Sequence, residues 1–151
     1  MASVHPSTRP SVSSGSPVSR SVDDLLGAAR RSLAEASLAA TAQERYAAAH
    51  LAALRAAAAV LAARGRPSGT QSRVISAWVL LARCAPELGE WATFFAAGAR
   101  KRASAQVGIA CVTAREADDL VRDAGTFLSR VCALLGLPDQ AVMDDVLLHV
   151  G

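Results

Sequence analysis

The chain has 151 residues, a formal net charge of +3 and a 52% hydrophobic share with only 4% aromatics. That length supports one domain whose core needs no metal or disulfide staple, and so mild a charge excludes the density of a histone-like nucleic-acid binder. Cys84, Cys111 and Cys132 are odd in number, far apart and form no CxxC, which excludes a disulfide framework and a zinc site and leaves the reduced thiols of a cytoplasmic protein.

Alanine supplies much of the hydrophobic share, and alanine favours helices over strands. In chain order, residues 1–20 are rich in Ser, Pro and Thr, are nearly free of large apolar side chains and read as a disordered tail with no secretory signal. Three capping boxes follow: Ser21-Val-Asp-Asp24, Thr41-Ala-Gln-Glu44 and Thr113-Ala-Arg-Glu116. Each opens an apolar 3-4 pattern. The first helix spans about Val22 to Ala39 on Val22, Leu25, Leu26, Ala29, Leu33 and Ala36. The second spans about Ala42 to Arg64 on Ala47, Leu51, Leu54, Ala58 and Leu61, with Gly65 as its stop. Residues 65–70 are a loop.

The third helix keeps 4-3 spacing across a proline: Val74, Trp78, Leu81, Ala85, Leu88, Ala92, Phe95, Ala99. Pro86 demands either a kink at Cys84–Pro86 or two helices in near-continuity. Residues 103–112 read as a loop. The fourth helix runs from about Ala114 to Leu135 on Ala117, Leu120, Ala124, Phe127, Val131 and Leu134, and Gly136 and Pro138 end it. Gln140–Val150 is a short fifth helix at most, in residues 139–151. No strand-like alternation and no fixed repeat occur. The fold expected is all-α: an antiparallel up-down four-helix bundle over residues 21–138, its third helix kinked at a proline. Tyr46–Ala63 is apolar enough to suggest a membrane span, but His50 and Arg55 lie near its middle, so it reads as a soluble helix and no membrane contact is expected.

Common sites are absent from the sequence: no Gly-rich phosphate loop, no HExxH, no GxSxG and no Glu-x-x-His pair. No cofactor or metal is implied. Three features remain. Arg45 and His50 form an R-x4-H pair. Five residues turn a helix by about 500°, so their side chains diverge by about 140°. His50 is then either a satisfied core histidine or half of a site that needs Arg45 to wrap round, or a second protomer to complete it. Arg64, Arg66 and Arg73 flank one loop, and Arg100-Lys101-Arg102 closes the third helix. They read as helix capping and solubility, or as a phosphate-binding rim for RNA or nucleotide. Lys101 is the only lysine. Arginine elsewhere follows from a GC-rich genome or from phosphate recognition. Trp78, Trp91, Phe94 and Phe95 are core, a stacking platform or a dimer seam.

The run Tyr46-Ala-Ala-Ala-His-Leu-Ala-Ala-Leu-Arg-Ala-Ala-Ala-Ala-Val-Leu-Ala-Ala-Arg-Gly65 resembles the signature helix of HEPN domains (higher-eukaryote and prokaryote nucleotide-binding). Glu116-Ala-Asp-Asp-Leu-Val-Arg-Asp-Ala-Gly-Thr-Phe-Leu128 is similar to their last helix. Ser76-Ala-Trp-Val-Leu-Leu-Ala-Arg-Cys-Ala-Pro-Glu-Leu-Gly-Glu-Trp91 is similar to the middle of an Ala/Arg-rich branch from high-GC bacteria. The resemblance covers about residues 22–136. It implies a four-helix bundle, usually dimeric, that binds RNA or nucleotide. It also implies one of two roles. One is a metal-independent ribonuclease of a toxin–antitoxin or regulatory system, with His50 as general acid/base and Arg45 on phosphate. The other is a non-catalytic partner of a small nucleotidyltransferase. In nuclease members a polar residue commonly follows the Arg, where this chain has Tyr46, and the motif opens a late helix rather than the second.

Overall fold

The computed structural model describes residues 15–65, 76–109 and 111–139, and among these it holds five α-helices and no strand. They are α1 (Pro17–Leu38), α2 (Ala42–Arg64), α3 (Ala77–Cys84), α4 (Gly89–Gln106) and α5 (Ala114–Leu134), with a 3-10 turn at Pro86–Leu88 between α3 and α4. The all-α fold is as expected. Residues 1–14, the segment 66–75 with Arg66 and Arg73, and the expected fifth helix at 140–150 lie outside the described residues.

Capping decides the helix ends, and two of them differ from expectation. α1 starts at Pro17, not Val22: Ser16 accepts the Ser19 N–H at 3.2 Å and Pro17, its φ already set for a helix, opens the first turn. The Ser21 box therefore lies inside a helix that has already begun. Thr41 makes half of its box, accepting from Glu44 N at 3.1 Å. Thr113 makes the whole box: its hydroxyl accepts from Glu116 N at 3.1 Å and its own N–H reaches Glu116 Oε2 at 2.8 Å. α5 ends in a Schellman motif at Gly136 (φ 67°), with Leu137 N donating to Cys132 O at 2.9 Å. α4 runs to Gln106 rather than stopping near residue 102, because Ala105 is buried and Gly108 (φ 78°) supplies the stop.

At the proline the two-helix alternative holds. Ala85, held out of the α region by Pro86, sits at φ −136°, ψ 75°. Arg64, from the end of α2, clasps the break, donating to Cys84 O at 3.0 Å and to Glu87 Oε1 at 2.5 Å. The apolar register survives it: Trp78, Leu81, Ala85, Leu88, Ala92 and Phe95 are all buried.

α2 is the centre of the bundle and packs against every other α-helix. α1 and α4 run antiparallel to it. Arg55 reaches Ser32 Oγ and Ala28 O on α1, and Arg45 reaches Ala39 O. His50 meets Phe95 O on α4, with Tyr46 beside Gly98. α5 antiparallels α4, through Trp91 on Phe127 and Lys101 on Glu116, so it runs parallel to α2. Parallel α2 and α5 are the diagonal pair of an up-down bundle, yet they touch closely. Alanine is the reason. Ala49, Ala53, Ala56, Ala57 and Ala59 are fully buried, and Ala117 and Ala124 of α5 are equally small. The deepest face of α2 is thus this alanine face with Val60. Of the expected stripe, Leu61 is buried, while Ala47, Leu51, Leu54 and Ala58 lie only half-buried at the flanks. α2 is also long and apolar enough to cross a membrane, but that stretch is mostly buried in the bundle.

Where α4 and α5 keep their backbones apart, rings fill the space. Phe95 lies between two near-parallel indoles, Trp78 at 5.1 Å and Trp91 at 5.9 Å, and Phe127 closes at 5.1 Å.

Candidate functional site

Arg45 and His50 are not brought together. Arg45 leaves α2 on the α1–α5 side, where Nη1 meets Asp118 Oδ1 at 2.5 Å and Nη2 meets Ala39 O at 3.3 Å. His50 leaves on the α3–α4 side and is 1% exposed. Its Nε2 stands 2.9 Å from Phe95 O, and only an N–H can satisfy a carbonyl, so the proton is on Nε2. Nδ1 is buried with no partner among the described residues. Trp78 and Phe95 meet the imidazole edge-to-face at 5.8 and 5.9 Å. Burial pushes the His50 pKa below its ordinary 6.5; the Phe95 carbonyl opposes this and the Arg102 charge adds to it. His50 is a neutral core imidazole.

The basic candidates divide in the same way. Arg64 is committed to the α3–α4 break. Lys101 meets Glu116 at 2.7 Å, a contact that raises the lysine pKa and lowers that of the carboxyl. Arg100 is exposed, with no hydrogen bond or ion pair to the described residues. Arg102 is half-buried, and its Nε is buried with no partner among the described residues. Of Trp78, Trp91, Phe94 and Phe95, only Phe94 is largely exposed, at 46%.

Two open clefts flank Phe94 along α4. One, of about 410 Å³, is lined by Tyr46, His50, Gly98, Lys101 and Leu120 together with α4 residues 93–95 and 97. Tyr46 is buried, yet its hydroxyl has no hydrogen bond to the described residues; burial raises its pKa, with Lys101 opposing. A Cβ on Gly98 would stand 3.0 Å from that hydroxyl, so glycine is what lets the phenol lie against α4. The other cleft, of about 320 Å³, is lined by Glu90, Trp91, Phe94 and Asp123. The sequence pointed to neither Glu90 and Asp123 nor Gly98. Gly98 carried a signal, a glycine inside a helical pattern, which marks close approach; the two acids carried none, because their meeting depends on the α4–α5 packing. Among the described residues no three His, Cys, Asp or Glu side chains gather to hold a metal ion.

The profile of the SAV_6107-like HEPN family matches residues 36–132, well over half of the chain. The chain belongs to the HEPN family. No curated protein and no solved structure matches it. The matched span covers the last turn of α1, all of α2 to α4 and α5 to within two residues of its end, so both clefts of this HEPN domain fall inside it.

Proposed function

We propose that this HEPN domain is a non-enzymatic interaction module whose working surface is the exposed side of α3 and α4. The carrying observation is the state of His50: its one N–H is held by Phe95 O in a core site, remote from Arg45. A general acid/base must reach the proton it moves, and no 2′-hydroxyl can approach a ring that is 1% exposed. Val79 and Phe94 are by contrast large apolar side chains open to solvent on α3 and α4. The test is cleavage of single-stranded RNA under reducing, metal-free conditions. Wild type is expected to leave the RNA intact. Cleavage that is lost in both His50→Ala and Arg45→Ala, with melting temperatures unchanged, overturns the reading and restores the R-x4-H ribonuclease.

A second reading, RNA or nucleotide binding through phosphate, is favoured by the cleft over Gly98. The Tyr46 hydroxyl lines it beside Lys101 with no hydrogen bond to the described residues, and the Arg102 charge is close enough to act on His50, another residue of its lining. Fluorescence anisotropy with a labelled oligonucleotide tests it: binding that weakens in Arg102→Ala and falls with salt supports it. A nucleotidyltransferase partner belongs to the first, non-enzymatic reading, and pull-down with such an enzyme tests it; a regulatory or toxin–antitoxin setting goes with the ribonuclease that the cleavage assay tests.

A further inference from the structure

The cleft at the N-terminal half of α4 sets two aromatic rings beside two acids. It is lined by Glu90, Trp91 and Phe94 of α4 and by Asp123 of α5, and its volume is about 320 Å³. Ligand sites run from roughly 300 to 1,000 Å³, so this one takes a small polar group with its stem and not a whole nucleotide. Its ring wall is fixed on the core side. Trp91 lies near-parallel to buried Phe95 at 5.9 Å and tilted on buried Phe127 at 5.6 Å. Phe94 stands nearly perpendicular to Trp91, at 86° with ring centres 6.3 Å apart, and is open to solvent.

The acids are uncommitted. Neither Glu90 nor Asp123 has a hydrogen bond or ion pair to the described residues. The adjoining Arg122 is taken by Asp119 at 2.8 Å, and Lys101 by Glu116 at 2.7 Å. Arg100 lies ten residues and so about 15 Å along α4 from Glu90, too far to fold back. Two acids alone would be a solvated patch. The rings change that, because an aromatic face attracts a cation and favours one that sheds water readily. Guanidinium is weakly hydrated, whereas ammonium is compact and strongly hydrated. Guanidinium is also flat. It can lie on a ring while the N–H groups in its plane donate outward, and its five donors can serve two carboxylates at once.

We propose that this cleft is a guanidinium site, in which a monosubstituted guanidinium stacks on the Trp91–Phe94 wall and donates to Glu90 and Asp123. The site goes beyond the interaction-module reading and does not need it. It shares only Phe94 with the cleft over Gly98, and its charge preference is the opposite of a phosphate site. The same chemistry comes from two sources: a free small guanidino compound, or an arginine side chain presented by a polypeptide.

The experiment is titration of the nitrogen-labelled full chain, followed by the two indole N–H signals in NMR spectra. Trp91 lines the cleft and Trp78 is buried outside it; Trp91→Phe assigns the pair. The probes are methylguanidinium, a capped Gly-Arg-Gly peptide and a capped Gly-Lys-Gly peptide. The arginine peptide is expected to move the Trp91 signal at millimolar concentration and leave Trp78 in place. The lysine peptide is expected to bind at least about fivefold more weakly. Glu90→Gln and Asp123→Asn, with circular dichroism melts matching wild type, are each expected to weaken binding about threefold or more. Methylguanidinium that binds within about tenfold of the arginine peptide, or more tightly, makes a free small compound the source. A larger gap in favour of the peptide makes it an arginine of a polypeptide. Either result supports the site. No movement of Trp91 with either guanidinium probe overturns it. Equal binding of the lysine peptide overturns the choice of guanidinium, and binding unchanged in both acid variants overturns this seat.

Discussion

At the scale of single residues, His50 and Tyr46 show how alanine-rich packing constrains polar atoms. Burial holds the imidazole neutral, so in acid the unfolded chain takes up a proton that the folded chain refuses. Stability is therefore expected to be full above about pH 7 and to fall as pH drops through the ordinary value of 6.5. Melting temperatures of wild type and His50→Leu at pH 7.5 and 5.5 check this: wild type loses more over that window. Glu87 and Glu116 do not confuse the comparison, since both titrate below 4.5. Gly98→Ala gives a second test. Alanine is about 1 kcal/mol better than glycine inside a helix, but its Cβ would meet the Tyr46 hydroxyl at 3.0 Å. Gly98→Ala is expected to be neutral or destabilising alone and stabilising by about 0.5–1 kcal/mol in a Tyr46→Phe background. Denaturant melts of the four proteins close the cycle, and additivity of the two changes would refute the contact.

At the scale of elements, the parts of the fold that follow from local chemistry were readable from the sequence, and the parts set by packing were not. Thr113 with Glu116, Gly136 after α5, and the 4-3 register through Pro86 each depend on neighbours within one turn, and each is found as read. The face of α2 was misread because leucine dominates any count of apolar residues. In this bundle Leu51 and Leu54 are pushed outward and the alanines turned inward, with Leu61 alone of the three leucines buried, since only alanine lets α5 come close. The divergence of Arg45 and His50 followed from helical rotation alone, whereas the partners that hold them, Asp118 and the Phe95 carbonyl, lie far off in sequence. The element-scale prediction concerns that alanine face. Ala53→Leu or Ala57→Leu adds bulk where exposure is zero, and is expected to cost about 1–3 kcal/mol or more. Leucine at Ala58, half-buried beside the groove of Ser21, Leu25, Leu54 and Leu80, is expected to cost much less. Equal costs at the three positions would put the inner face of α2 elsewhere.

At the scale of the whole molecule, α1 lies almost entirely outside the matched family span, which begins at Ala36, although it is the helix most extensively packed on α2. Val22, Leu26 and Ala29 are buried, with Leu25 and Leu33 half-buried, and Ser32 takes the guanidinium that Arg55 sends from the middle of α2. Burying a leucine or valine stabilises by about 1.5–3 kcal/mol, so the four large side chains of α1 together contribute an amount comparable with a domain's whole net stability of about 5–15 kcal/mol. Removing α1 would also leave Arg55 facing solvent-exposed alanine where it now has two acceptors. A chain beginning at Ala40 is therefore expected to lose its sigmoidal thermal transition by circular dichroism, even though it retains nearly the whole matched span. A cooperative melt in that shortened chain, at a temperature near that of the full protein, would show that the domain is complete without α1 and that α2 has another cover for its Arg55 face.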